Sequence, residues 1–269
     1  MSPAAEARAT AGRAAEAAAV EIVAVRSPDD AARTVDVFSA TWGEGRGADP
    51  STLQAIAHAG NPVLLALRDG QVLGALFSFL GWDGGLHAHS HMTAVSPLTR
   101  STGVGLALKA AQRAECLERG VREVRWTYDP LIRRNARFNL WKLGARVSTF
   151  QPDFYGVLDD AINGTDHSDR FEVTWRLDSP AVAEALTEAL GARVADRTAV
   201  RDTAEADDLE LPVDFEALRR EDPRAAAALR EASRARFAEA MATGAAVRFT
   251  GTGYVFDRAN AAVVEEETR

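Results

Sequence analysis

The chain has 269 residues, of which 46% are hydrophobic and 26% charged, and this composition indicates a folded globular protein of one or two domains. Its formal net charge of −8 disfavours a nucleic-acid partner, because contact with many phosphates needs a basic face. Cys116 is the only cysteine, so an internal disulfide is excluded.

Residues 1–19 are rich in Ala, Arg and Glu and lack a clear apolar stripe, which predicts a frayed helix or a disordered, flexible segment. Charged residues also interrupt this segment where a signal peptide needs an apolar run. No later stretch is long and apolar enough to cross a bilayer. We therefore expect a cytoplasmic protein with no membrane partner.

The segments up to residue 95 alternate between strands, one helix and two glycine-rich loops. Ser27 as a cap and Pro28 in the first turn predict a helix start, and Asp69-Gly70 predicts a tight hairpin turn. Trp42 lies in the predicted loop 41–50, and Trp82 lies in the predicted loop 81–85. The other predicted elements are a strand at 21–25, the helix at 28–40, hairpin strands at 63–67 and 71–80, and a strand at 86–95.

The pattern continues with a helix at 103–118 and then restarts beyond Pro180, so we place a domain boundary at about residue 179. This divides the chain into a flexible segment 1–19, a main domain 20–178 and a smaller C-terminal α+β extension 179–269. The remaining predicted elements are strands at 121–128, 147–150 and 170–177, a helix at 134–143, a helix at 181–190, strands near 193–199 and 208–213, a helix at 223–241 and a strand near 246–256.

A loop with the pattern Arg100-x-x-Gly103-x-Gly105 joins the strand 86–95 to the helix 103–118. Backbone N–H groups at a helix start, together with glycines that allow close approach, form a site for a pyrophosphate. On its own, the hexapeptide is also compatible with a tight turn into an ordinary helix. Its spacing fits neither the dinucleotide-binding Gly-x-Gly-x-x-Gly nor a P-loop.

With Ala-Val-x-Pro before it and an amphipathic helix after it, this loop resembles the coenzyme A signature of the GCN5-related N-acetyltransferase (GNAT) superfamily. The later Lys142-Leu143-Gly144-Ala145 is similar to the helix end that precedes the last strands of that family. The resemblance covers about residues 20–178. It implies an α/β (α+β) fold with a mixed, mainly antiparallel sheet flanked by helices.

The resemblance also implies acetyl-CoA as co-substrate, no metal cofactor, and a small-molecule acceptor, most simply an amine. A homodimer is common in the family, and the C-terminal extension offers one way to form it. Pantetheine would bond to the backbone of a strand end, and the pyrophosphate would lie on amides of the loop. The cofactor-binding residues implied are Thr93, Ala94, Val95, Arg100, Ser101, Thr102, Gly103, Val104, Gly105 and, near the start of the later helix, Asn135.

Three histidines, His87, His89 and His91, alternate on the strand before the loop, so their side chains are expected on one face. A histidine with a near-neutral pKa accepts the proton of an incoming ammonium group, directly or through a water. His89 and His91 resemble the paired histidines of arylalkylamine N-acetyltransferases, and we predict His91 as the base with His89 second. The alternatives are hydrogen bonding within the sheet, solvent exposure, or a metal site.

The sequence departs from the family pattern at Leu140, where many members have a tyrosine that protonates the departing thiolate. Tyr155 is the predicted substitute, and the alternative is that it serves as an aromatic packing anchor, which is the commoner role for such a residue. Trp42 and Trp82 are predicted to border the acceptor pocket. Because the usual tyrosine is missing, a catalytically silent acyl-CoA-binding sensor or scaffold stays open as an alternative, and so does a metal-dependent enzyme that uses the histidine row.

Overall fold

The computed structural model describes residues 1–45, 47–99, 102–156, 166–195 and 207–258. The chain divides into two compact units. The first comprises Met1–Trp126 and Trp175–Gly191, and the second comprises Thr127–Thr174 and Ala192–Arg269. The chain passes from one unit to the other near residues 126, 174 and 191. The predicted boundary at about residue 179 does not coincide with any of these three positions.

The secondary structure alternates between helices and strands in the order that the sequence predicts for most of the chain. The helices are α1 (Pro3–Ala18), α2 (Pro28–Trp42), α3 (Pro50–His58), α4 (Val104–Glu118), α5 (Arg133–Ala136), α6 (Pro180–Ala195), α7 (Phe215–Glu221) and α8 (Pro223–Ala242). The strands are β1 (Glu21–Ala24), β2 (Val63–Arg68), β3 (Gln71–Gly81), β4 (His87–Val95), β5 (Glu123–Tyr128), β6 (Arg146–Gln151), β7 (Arg170–Arg176), β8 (Leu209–Glu210), β9 (Ala246–Phe249) and β10 (Gly253–Asp257).

The first unit is built on a sheet in which β1 to β5 are neighbours in chain order. The pairs β1–β2, β2–β3 and β3–β4 are antiparallel, and β4–β5 is parallel. Phe38 of α2 and Leu53 of α3 pack on one face with Val63 and Leu65, whereas α4 covers the other face beside Leu64 and Ala66. The mixed, mainly antiparallel sheet flanked by helices is therefore confirmed.

Local signals in the sequence explain two predicted features of this unit. The Ser27 hydroxyl accepts a hydrogen bond from the Asp30 N–H and so caps α2. Asp69 and Gly70, with φ of 50° and 77°, make the turn between β2 and β3. Both features are as predicted.

The loop predicted over 41–50 is shorter in the structure, because two helices take up its ends. Helix α2 continues to Trp42, which packs on Phe38 with ring centroids 5.9 Å apart. Helix α3, which the sequence analysis missed, begins where the Asp49 carboxylate accepts the N–H groups of Ser51 and Thr52. An Asp-Pro start of this kind is an N-cap signal that the glycines before it obscured.

The prediction of a frayed or disordered segment over residues 1–19 is wrong for α1. Ala7, Ala14 and Ala18 of α1 are buried, and Ala14 and Ala18 pack on Ala107 and Ala110 of α4. Alanine contrasts weakly with its polar neighbours, so the buried stripe does not stand out in the sequence. The small side chains nevertheless let the two helices approach closely.

The second unit contains an antiparallel β6–β7 pair and a three-stranded sheet in the order β8-β10-β9. Phe171 of β7, Phe237 of α8 and Tyr254 of β10 form an aromatic core, and the Phe171 and Phe237 ring centroids lie 4.5 Å apart. Residues before and after position 179 therefore share one core in this unit.

Two predicted elements beyond β5 differ from the structure. The helix expected over 134–143 is α5 followed by a π-helical segment, Arg137–Lys142. The strand expected near 193–199 is wrong for its first residues, since α6 runs to Ala195, and 196–199 lie outside the described residues. None of the described helices combines the length and the apolar character that a transmembrane span requires.

Candidate active site

The start of α4 is the first component of the candidate site. Gly103 precedes the helix with φ of 93°, in the left-handed region that favours glycine, and no side chain caps the first turn. The caps of α1, α2, α3, α7 and α8 are side-chain oxygens, so α4 differs from them. Its first N–H groups have no carbonyl within the helix to bind and are available to an anion.

Gly74 of β3 brings α4 close to the end of β4. A Cβ atom on Gly74 would lie 2.9 Å from the Ala94 carbonyl oxygen and 3.0 Å from a methyl of Val104. The absence of that atom lets the helix start and the strand end meet. In the loop between them, the Thr102 hydroxyl donates to the Thr99 carbonyl at 2.7 Å, and Arg100 and Ser101 lie outside the described residues.

The end of β4, with Thr93, Ala94 and Val95, is the second component. Its ladder with β3 continues to Val95, opposite Gly74. The parallel ladder with β5 joins Ala88 to Val124 and His89 to Arg125, at the other end of β4. Ala94 is buried in the core, and Thr93 and Val95 are half-buried.

A β-bulge at His91 separates these two ends of β4. The register pairs Ser90 with Ser78 and Met92 with Phe77, so His91 is skipped. As a result, Ser90 contacts α4 on one face of the sheet, while Met92, two residues later, packs in the core beneath α2 on the other. Bulges of this kind redirect side chains and are frequent next to active sites.

His89 and His91 form an aromatic cluster with Phe77 and Phe79 of β3. The His89 and His91 ring centroids are 5.9 Å apart, His89 lies 5.2 Å from Phe79, and His91 meets Phe77 edge-on at 5.6 Å. His89 is half-buried and His91 is exposed. The two histidines that the sequence analysis paired are therefore neighbours in the structure.

Burial lowers the pKa of His89 to about 4, with further lowering by the nearby His91, His87 and Lys109. Although part of its side chain is exposed, the neighbouring rings of Phe77, Phe79 and His89 desolvate His91 and lower its pKa from the usual value. Both imidazoles are consequently neutral at pH 7, which is the form that accepts a proton.

His87, the third histidine of the row, has different surroundings. It is 6% exposed, its Nδ1 lies 2.9 Å from the Gly85 carbonyl oxygen, and its ring occupies the space that a Cβ on Gly81 would fill. Its contacts hold the turn between β3 and β4. Within the described part of the chain, no group of three His, Cys, Asp or Glu side chains is arranged to hold a metal ion.

Behind β4, the structure places a buried lysine that the sequence analysis missed. Lys109 of α4 is 3% exposed, and its Nζ donates to the Ser90 hydroxyl at 3.0 Å and to Gln112 Oε1 at 2.9 Å. The same Nζ lies 3.9 Å from the ring centroid of Trp126. The apolar periodicity of the helix gave no signal for it, since a lysine beside the apolar face is normally exposed.

The other predicted residues are scattered over both units. In the first unit, Trp42 is part of α2, and Trp82 is 74% exposed in the turn before β4. In the second unit, Asn135 lies in α5 and Leu140 in the π-helical segment. Tyr155, also in the second unit, is exposed, and its hydroxyl lies 3.2 Å from that of Thr127.

Comparison with known proteins gives one family match. Residues 4–131 match a model described as "Acetyltransferase (GNAT) domain". The comparison with curated proteins finds no match.

Solved structures of similar fold cover somewhat more of the chain, at low identity. A putative acetyltransferase, yncA, from Salmonella typhimurium, with its cofactor acetyl-CoA, is 20% identical, with 60% of this chain and 95% of that chain covered and a TM-score of 0.47. The ribosomal-protein-S18-alanine N-acetyltransferase from Escherichia coli is 16% identical, with coverage of 59% and 94% and a TM-score of 0.47. A polyamine N-acetyltransferase from Drosophila melanogaster is 13% identical, with coverage of 58% and 99% and a TM-score of 0.46.

Proposed function

We propose that this chain, of which residues 4–131 match the model of a GNAT acetyltransferase domain, transfers an acetyl group from acetyl-CoA to the amine of a small acceptor. The observation that carries the proposal is the uncapped start of α4 at Gly103, held against the end of β4 by the missing side chain of Gly74. An anion fits the helix start, and an extended chain fits the strand end.

The pyrophosphate of acetyl-CoA would lie on the amides of Gly103, Val104 and Gly105, where the helix dipole favours negative charge. Thr102 borders this cradle, and Arg100 and Ser101 are assigned to it from the sequence pattern. Pantetheine would bond to the backbone of Thr93, Ala94 and Val95, beyond the residues at which β5 pairs with β4. Asn135 is a further proposed contact.

In the proposed reaction, the nitrogen of a neutral amine attacks the thioester carbonyl carbon, a C–N bond forms, and the C–S bond breaks. The backbone N–H near Val95 polarises the carbonyl oxygen. His91 takes the proton that the nitrogen loses, directly or through a water, with His89 as the second candidate. The exposed position of His91 at the bulge and its neutral state at pH 7 support this role.

The leaving thiolate takes a proton from Tyr155 or from solvent, because Leu140 stands where many family members have a tyrosine. The hydroxyl group of Tyr155 is exposed and in contact with Thr127, so it has a route for replacing the proton that it gives up. Coenzyme A is an adequate leaving group without an acid, and Tyr155→Phe is therefore expected to slow the reaction modestly.

The acceptor is proposed to be a small amine with an apolar or aromatic part. Phe77 and Phe79 surround the histidines with rings, and the exposed indole of Trp82 belongs to the same hairpin. Trp42, half-buried against Phe38, is the second proposed wall of this pocket.

The test is release of free thiol from acetyl-CoA by purified protein with a panel of small amines. We expect amine-dependent thiol release that falls about a hundredfold or more in His91→Ala, since a general base typically contributes that much. His58→Ala, which changes an exposed histidine of α3, is the matched control and should leave turnover unchanged.

Two results would contradict the proposal in different ways. Acetyl-CoA binding without turnover on any amine would favour the sensor or scaffold. A stoichiometric metal in the wild type that is lost in His91→Ala would favour the metal-dependent enzyme.

A further inference from the structure

Lys109 is a fully buried lysine for which the proposed reaction has no use. Among the described residues it has no carboxylate partner: its three N–H donors face the Ser90 hydroxyl, Gln112 Oε1 and the ring of Trp126. The Trp175 ring centroid lies 5.5 Å from the same nitrogen. These contacts give the Lys109 Nζ one defined position.

Ser90 connects this ammonium to the two histidines. It lies between His89 and His91 and is the last residue of β4 before the bulge. Its hydroxyl points to α4, whereas His89 and His91 lie with Phe77 and Phe79 on the other face. In a strand with regular alternation, Met92 would lie on the same face as Ser90. Met92 lies on the opposite face because the bulge at His91 interrupts the alternation directly after Ser90. The position of Ser90 therefore marks the start of the bulge.

We propose that Lys109 is a positioning residue, whose bond to Ser90 fixes the β4 bulge and with it the orientation of His89 and His91. This inference rests on the proposed function for its catalytic consequence. The contact itself and its effect on the histidines do not depend on any acceptor.

Energetics supports a role beyond stability. An ammonium without a carboxylate partner is costly to bury, and even buried ion pairs can often be replaced by apolar residues of similar volume without loss of stability. Burial lowers the pKa of Lys109 to about 7. A methionine would fill the same space between the two tryptophans, so packing alone does not require a lysine here.

The charge also acts on His89. The titratable and charged groups around His89 are His87 and His91 on β4, Lys109 on α4, and Arg125 opposite it on β5. Arg125 is bound to Glu123, which also binds Arg176. At the acidic pH where His89 takes up a proton, Lys109 is already protonated. Its positive charge disfavours protonation of His89 and so lowers the His89 pKa.

The test compares Lys109→Met, Ser90→Ala, the double variant and Ser90→Thr, which keeps the hydroxyl. We expect Lys109→Met and Ser90→Ala each to lower kcat about tenfold or more while the KM for acetyl-CoA stays within about twofold, because small displacements of a reacting group cost this much. If Lys109 acts through Ser90, the double variant should be no slower than the worse single variant. Ser90→Thr should recover most of kcat.

A second readout needs no turnover. NMR titration of labelled histidines should show the His89 pKa rising in Lys109→Met, with shifted His91 resonances in both Lys109→Met and Ser90→Ala. Ala114→Gly, which weakens α4 farther along the helix, is the control for general destabilisation and should leave both histidine signals in place.

Unchanged histidine resonances in Ser90→Ala would overturn the positioning role, and so would losses in kcat that multiply in the double variant. If Lys109→Met does not fold, Ser90→Ala and Ser90→Thr decide the question. If no acceptor is turned over, the NMR readout still tests the positioning, and the failure belongs to the proposed function.

Discussion

Arg230 of α8 is a buried cation that joins two carboxylates of the second unit. It is 0% exposed, donates two hydrogen bonds of 2.8 Å to the Asp129 carboxylate, and donates one of 2.7 Å to Asp166. We predict that Arg230→Met destabilises the protein strongly at neutral pH, because it leaves two buried carboxylates without their shared cation.

The expected loss of stability in Arg230→Met depends on the hydrogen bonds that the two carboxylates keep. Asp129 still accepts the Leu131 N–H, and Asp166 still accepts a bond from Arg219, so neither is left without a donor. Removal of one partner of a buried pair costs about 3–5 kcal/mol, and we expect the lower end. That corresponds to a fall in melting temperature of roughly 6–12 °C.

The loss of stability in Arg230→Met should depend on pH, and the lowered pKa of Asp166 sets the direction of that dependence. Burial raises the pKa of Asp166, but the hydrogen bond and charge of Arg230, with the bond from Arg219, lower it overall in the wild type. A lowered carboxylate pKa adds stability above the unfolded-state value, and this stability is lost as the pH falls. Arg230→Met does not have that contribution, so its deficit should shrink mainly as the pH falls below the unfolded-state pKa of 3.8, between about pH 4 and pH 3.

Denaturant unfolding followed by circular dichroism at pH 7 and in steps down to about pH 3 measures the effect. Arg224→Met changes an exposed arginine of the same helix and should cost less than about 0.5 kcal/mol. A deficit of Arg230→Met below about 1 kcal/mol at pH 7, or one that stays constant down to about pH 3, would refute the reasoning.

Three further predictions concern the first unit. Gly74→Ala should weaken acetyl-CoA binding about tenfold, measured by calorimetry, because its Cβ would force Ala94 and Val104 apart; an unchanged affinity would contradict the close approach. Trp82→Ser should change stability by less than about 0.5 kcal/mol but raise the KM of an apolar amine, measured by thiol release, and an unchanged KM would remove Trp82 from the pocket. Glu6→Gln should cost about 3 kcal/mol in denaturant unfolding at pH 7, because the buried Arg113 loses its carboxylate at 2.7 Å, and a loss below about 1 kcal/mol would contradict this.

Short-range signals predicted most of the first unit. The Ser27 cap, the Asp69-Gly70 turn and the Gly103 helix start depend on residues that are adjacent in the chain, so the sequence shows them directly. The alternation His87, His89, His91 likewise placed His89 and His91 beside each other.

Features that depend on distant partners could not be predicted. The bulge at His91 arises from the register with β3 and moves Met92 to the opposite face from Ser90, which regular alternation does not indicate. Lys109 is buried only because Ser90, Gln112 and two tryptophans surround it.

The C-terminal extension was interpreted as an appendage because it contains no motif. Its α8 supplies Arg230 and Arg234, which bind Asp129, Asp153, Asp166 and Asp169 of the same unit. Ion pairs between residues so far apart in the chain depend on the folded structure, so no local sequence pattern predicts them.

Calorimetric titration of acetyl-CoA into the wild type and into Gly103→Glu tests the central claim most directly, since the glutamate would fill and repel the anion cradle at the start of α4. We predict saturable binding with one site per chain in the wild type and no measurable binding in a folded Gly103→Glu protein. Equal binding by the two proteins, or a folded wild type that does not bind acetyl-CoA, would contradict the account.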